Sequence, residues 1–71
     1  MEEKDKLRIL IPHWIAHNQE HANEFRDWAS RADGVSAADI LAAADSVDHA
    51  NESLLSALEK MGGALPYPHL E

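Results

Sequence analysis

Apolar residues recur every three or four positions along two long stretches of this 71-residue chain, and only a short polar break separates the two stretches. An α-helix turns by about 100° per residue, so this spacing places the apolar residues along one side of a helix. The pattern predicts a first helix over residues 3–31 and a second over residues 37–61. A short connection makes two long helices antiparallel neighbours. The sequence therefore predicts an all-α fold, an antiparallel helical hairpin with a short Pro-rich C-terminal tail.

Pro12 lies inside the first apolar pattern. It can kink one long helix, or it can begin the main helix and leave residues 3–10 as a separate turn. We favour one kinked helix, because the apolar spacing continues from Leu7 to Trp28 without a change of phase.

Capping signals set the predicted turn between the helices. Gly34 suits the left-handed position that follows a helix. Ser36 suits the N-cap of the second helix, and Val35 and Ile40 occupy the two positions of a hydrophobic staple. At the other end of the hairpin, the glycines at 62–63 stop the second helix.

The residues after these glycines contain too much proline for a helix. This tail is expected to lie back across the open end of the hairpin, where Leu65 and Tyr67 would cover Leu7 or Met61.

Two asparagines indicate how the helices align. With the turn centred near Gly34, facing residues have numbers that sum to about 69, and Asn18 then lies opposite Asn51. Each amide interrupts its own apolar seam, and a polar pair in a seam fixes the alignment of two helices.

The apolar arcs are wider than one helix–helix contact needs, and the second helix also carries a ridge of small residues, Ala43, Ser46, Ala50, Ser53 and Ala57. We therefore expect a homodimer that forms a four-helix bundle. The alternatives are a monomer sealed by its own tail and a domain that binds a different protein partner.

Three histidines, His13, His17 and His21, follow one another at four-residue intervals on the first helix. Imidazole is the commonest protein ligand for metals. His17, His21 and Glu24 form a set of three ligands on one helical side, with His13 as a more exposed fourth candidate. This pattern predicts binding of a divalent transition metal such as Zn²⁺ or Ni²⁺. A structural zinc site takes four ligands, and a symmetric copy can supply the missing one if this side of the helix is the dimer interface.

Two other interpretations of the histidines remain open. Buried neutral histidines would become charged in mild acid and weaken the dimer at about pH 5–6, which would make a pH-sensitive interaction module. The other interpretation is a purely structural role for the histidines. His49 is expected in solvent, and Trp14 and Trp28 are expected in the core rather than in a ligand platform.

Composition excludes several function classes. Thirteen Asp and Glu against six Lys and Arg give a net charge of −7, without the basic patch that nucleic acid requires. Asp39, Asp45, Asp48 and Glu52 form an acidic rear side that favours solubility. The chain has no Cys, no Gly-rich phosphate loop and no complete nucleophilic triad, so a non-enzymatic binding or scaffolding module is expected.

The ends of the chain predict no targeting segment. The charged N-terminal residues lack the apolar core of a signal peptide, and no apolar run is long enough for a membrane span. We expect a cytoplasmic protein with one domain over residues 1–69, and residues 70–71 resemble a cloning scar.

Residues 13–25 carry the pattern H-W-x-x-H-N-x-x-H-A-x-x-F. This pattern resembles an uncharacterised prokaryotic family of small helical-hairpin domains. The resemblance implies a hairpin in which the three histidines and Asn18 are the marked residues, and it implies no activity.

Overall fold

The computed structural model describes residues 2–66, and these residues form two long helices. Helix α1 spans Glu3–Ala29 and helix α2 spans Gly34–Lys60. They pack side by side as an antiparallel hairpin, so the predicted fold class is confirmed. Tyr67, His69 and the C-terminal pair at 70–71 lie outside the described residues, and so do the expectations about them.

The turn is tighter than the sequence predicted. Asp33, and not Ser36, is the N-cap of α2, because its carboxylate accepts a hydrogen bond of 2.9 Å from the backbone N–H of Ser36. Asp is at least as good an N-cap as Ser, and Gly34 then takes the first helical position instead of a left-handed one. Val35 is 82% exposed, so the predicted staple with Ile40 was also wrong. The two hydrogen bonds from Ser36 lower the pKa of the Asp33 carboxyl.

Pro12 lies inside α1, which continues through it, so the alternative in which Pro12 begins the main helix was wrong. Proline has no N–H to donate to the carbonyl four residues earlier, which is that of Arg8. The tail supplies the missing donor, since the Leu65 N–H lies 3.2 Å from the Arg8 oxygen. The predicted return of the tail across the open end is therefore explained by Pro12. Leu65 shares a shallow pocket with Ile9 and Pro12, and its contact with Leu7 or Met61 stays a prediction.

The end of α2 adds a second contact with Arg8. Its guanidinium donates hydrogen bonds of 2.7 Å and 3.1 Å to the carbonyls of Gly63 and Gly62. Both glycines have positive φ, a conformation that stops a helix and that side chains with a Cβ rarely adopt. The predicted end of the second helix is confirmed within one residue.

The core between the helices is thin. Its buried apolar residues are Ile11, Ala22, Ala29, Ala44 and Leu58. Ala22 and Ala44 are fully buried, and such small side chains allow the two backbones to approach closely. Within residues 2–66, neither helix contains a stretch long and apolar enough to cross a membrane.

Asn18 and Asn51 meet in this seam, as predicted. The Asn18 amide donates a hydrogen bond of 3.0 Å to the Asn51 side-chain oxygen, and the Asn51 amide donates one of 3.2 Å to the carbonyl of Ile15. These bonds fix the level of each residue of α1 relative to α2.

Candidate functional site

The hairpin is one helix thick, with dimensions of 48 × 27 × 13 Å. A single helix with its side chains is about 10–12 Å across. The molecule therefore has two broad faces, and each face contains one side of α1 and one side of α2.

One broad face carries a cluster of charged side chains that pair within the chain, and we call it the charged face. Arg26 donates hydrogen bonds of 3.0 Å to Asp45 and 2.6 Å to Asp48, which raise the pKa of its guanidinium. Gln19 and Glu52 lie farther along the same face. Sequence reasoning assigned these acidic residues only to solubility and missed Arg26, although the 18–51 alignment places Arg26 near their level.

The opposite broad face carries none of these charges, and we call it the neutral face. Helical spacing places large side chains on its α1 half and small ones on its α2 half. Its residues are Leu10, Trp14, His17, His21 and Trp28 from α1, and Ala43, Ser46, Ala50, Ser53 and Ala57 from α2. None of the ten is Lys, Arg, Asp or Glu, and the same spacing places two carboxylates, Glu24 and Asp39, at the margin of this face.

Both tryptophans lie on the neutral face and are exposed. Trp14 is 43% exposed and Trp28 is 60% exposed, so the prediction that they are core residues of the hairpin was wrong. The apolar spacing of each helix was predicted correctly, but a single neighbouring helix covers only part of each apolar arc. Arg31 lies over the Trp28 ring, 4.6 Å from its centre, at the edge of this face.

His17 and His21 lie together in the middle of the neutral face. Their ring centres are 4.9 Å apart and the rings meet edge to face at 71°. A carboxylate oxygen of Glu24 lies 3.5 Å from Nδ1 of His21, and the Phe25 ring lies 6.3 Å from the His21 ring. These residues occupy successive turns of α1 because they are three or four positions apart.

The predicted ligands are only partly brought together. His13 lies near Ile9, Ala16 and Leu65, on the side of α1 where the tail returns. Among the residues at 2–66, no three His, Asp or Glu side chains are placed to hold one metal ion. A single copy of the chain therefore offers a pair of imidazoles rather than a complete set of ligands, and metal binding stays a prediction.

Comparison with known families adds one finding. The profile of a family described as a domain of unknown function (DUF8180) matches residues 7–61. The chain belongs to this family. The matched residues of the DUF8180 domain include Pro12, the histidine pair and both seam asparagines.

Membership confirms the expectation of an uncharacterised family, and the thirteen-residue pattern and the prokaryotic origin stay predictions. Neither the search of curated proteins nor that of solved structures found a match.

Proposed function

We propose that this DUF8180 domain is a non-enzymatic binding or scaffolding module that works as a homodimeric four-helix bundle. The observation that carries the proposal is the neutral face, because it exposes two tryptophans on a chain whose other broad face is charged. A cytoplasmic location remains a prediction from the sequence.

The extended shape of the hairpin supports the proposal that a second layer of helices packs against it. Its radius of gyration is 15.5 Å, whereas a compact domain of this length has about 11 Å. Its accessible surface is 5193 Å², and a monomer of 7.9 kDa typically exposes about 4,400 Å². Stable domains bury their helices in at least two packed layers, and one hairpin provides only one.

A second copy of the chain is the occupant that the neutral face fits best. Two chains of net charge −7 repel each other, so a stable contact between them should hold few carboxylates. The ten neutral-face residues include none, and Glu24 at the margin lies beside the His21 imidazole. The broad faces are up to 48 by 27 Å, enough for the roughly 800 Å² per partner that standard interfaces bury. Exposed apolar patches of this kind mark interaction sites.

Sedimentation equilibrium on the wild-type protein and two variants tests the proposal. The wild type should have twice the 7.9 kDa chain mass. Ala50→Glu places an unpaired carboxylate at the centre of the neutral face and should weaken the dimer at least tenfold, about 1.4 kcal/mol. Ala42→Glu is the matched control, because Ala42 is exposed on the outer side of α2, and it should leave the mass unchanged.

A wild-type mass of one chain at all accessible concentrations would contradict the homodimer. If the Ala50→Glu and Ala42→Glu variants dimerise equally tightly, the assignment of the dimer contact to the neutral face is contradicted.

A further inference from the structure

Along the neutral face, the residue types follow nearly the same order in both directions from its middle. On α1 the middle falls at position 19, with His17 and His21 on either side of it and large apolar residues beyond them in both directions. These flanking residues are Leu10 and Trp14 on one side and Trp28 on the other, where Glu24 takes the position that mirrors Trp14. A surface with this order can pair with an antiparallel copy of itself.

The small ridge of α2 has its own middle at Ala50, with Ser46 and Ser53 next to it and alanines at both ends. The Asn18–Asn51 hydrogen bond places position 19 of α1 and Ala50 of α2 at the same level of the hairpin. Both halves of the neutral face therefore share one centre. A twofold axis at that level places the same surface of each copy against the other, as an isologous dimer requires.

Such an axis brings the histidines of two copies together. With α1 antiparallel to its copy and centred on position 19, His17 of one copy lies opposite His21 of the other. Leu10 then lies opposite Trp28, and Trp14 lies opposite Glu24. The four imidazoles come to the centre of the interface, with apolar side chains on both sides.

The geometry within one copy suits a shared metal ion. Zinc binds imidazole nitrogen at about 2.0–2.1 Å with tetrahedral angles, which puts the centres of two coordinated rings about 5 Å apart. The centres of His17 and His21 are 4.9 Å apart. Glu24 lies at Nδ1 of His21, where a carboxylate orients the ring and leaves Nε2 for a metal.

We propose that His17 and His21 of two copies form a four-histidine site for zinc or a similar divalent metal on the twofold axis of the dimer. Two imidazoles per chain are too few for a structural zinc site, and two chains supply the four that it requires. In this site Glu24 is a positioning residue rather than a ligand. The inference rests on the proposed homodimer.

Zinc titration by calorimetry, with sedimentation in parallel, tests this site. Protein lacking any purification tag should bind half an equivalent of Zn²⁺ per chain, and zinc should tighten the dimer at least tenfold. Bound Co²⁺ should give the strong visible absorption of tetrahedral coordination. His17→Ala and His21→Ala should each abolish these changes, whereas His49→Ala, which removes an exposed histidine of α2, should leave them intact.

Each outcome separates this inference from the proposed function. A dimer that gives no zinc-dependent heat would overturn the metal site and leave the homodimer standing. One zinc per chain, or binding that persists unchanged in Ala50→Glu, would overturn the shared site. A wild-type protein that remains monomeric with and without zinc would overturn both.

Discussion

The two broad faces of the hairpin differ in whether their side chains have polar partners on the other helix. Polar contacts between the helices and the tail involve the seam, the charged face and the open end, through Asn18, Arg26 and Arg8. Among residues 2–66, no hydrogen bond between the helices involves a side chain of the neutral face. Within the described part of the chain, side-chain hydrogen bonds therefore join the two helices on the charged face and not on the neutral face.

This difference has a simple physical origin. A two-helix hairpin can bury one stripe of each helix, and here the buried residues are three alanines, Ile11, Leu58 and Asn51. The largest aromatic side chains lie beside the stripe instead of in it. Small residues bring the helices close, and both tryptophans stay exposed.

The asparagine pair offers the largest expected effect, because it sets the alignment that defines both faces. Asn51→Leu leaves the partly buried Asn18 amide without its partner and should lower the free energy of unfolding by about 1–3 kcal/mol. Adding Asn18→Leu should recover much of that loss, because no unpaired polar group remains. Urea denaturation of the two single variants and the double variant measures the coupling.

Additive losses in the double variant would show that the two amides do not act as a pair. A double variant that is stable but has lost the wild-type dimer mass would show that the pair serves alignment more than stability.

Pro12→Ala should produce a smaller and more local effect at the open end. The alanine N–H can restore the helical hydrogen bond to the Arg8 carbonyl and displace the Leu65 N–H from it. One hydrogen bond replaces another, so the free energy of unfolding should change by no more than about 1 kcal/mol. Hydrogen exchange followed by NMR should show faster exchange at Leu65 and unchanged exchange at the seam residues.

Leu65 exchange that stays as slow as in the wild type would mean that the tail does not depend on the carbonyl that Pro12 leaves open. The neutral face lies apart from this contact, so the dimer mass should be the same in Pro12→Ala and in the wild type.

Much of the fold could be predicted from local signals. The three- and four-residue spacing defined both helices, and the matching interruptions at Asn18 and Asn51 gave their alignment. The N-cap was misplaced because Asp33 and Ser36 are both good capping residues, and Gly34 can either end one helix or begin the next. The choice between Asp33 and Ser36 as the N-cap depends on how short a turn the packed helices allow.

The site was harder to predict, because it depends on which part of each helix's apolar arc the other helix buries. The sequence located His17 and His21 on one side of α1, but it did not show that Glu24 lies at the Nδ1 edge of His21. Nor did it show that both tryptophans are exposed. The contact between Leu65 and Arg8 had a usable signal, since every proline inside a helix leaves one carbonyl without its helical donor.

The most direct measurement uses the two tryptophans, because both lie on the neutral face and no other tryptophan contributes. Acrylamide quenching of their fluorescence should be followed through a dilution series, with Ala50→Glu as the uncovered reference. We expect protected tryptophans in the concentrated wild type, and quenching that rises to the Ala50→Glu value as sedimentation shows the dimer separating. Quenching equal to that of Ala50→Glu at every concentration would contradict the claim that a second copy covers this face.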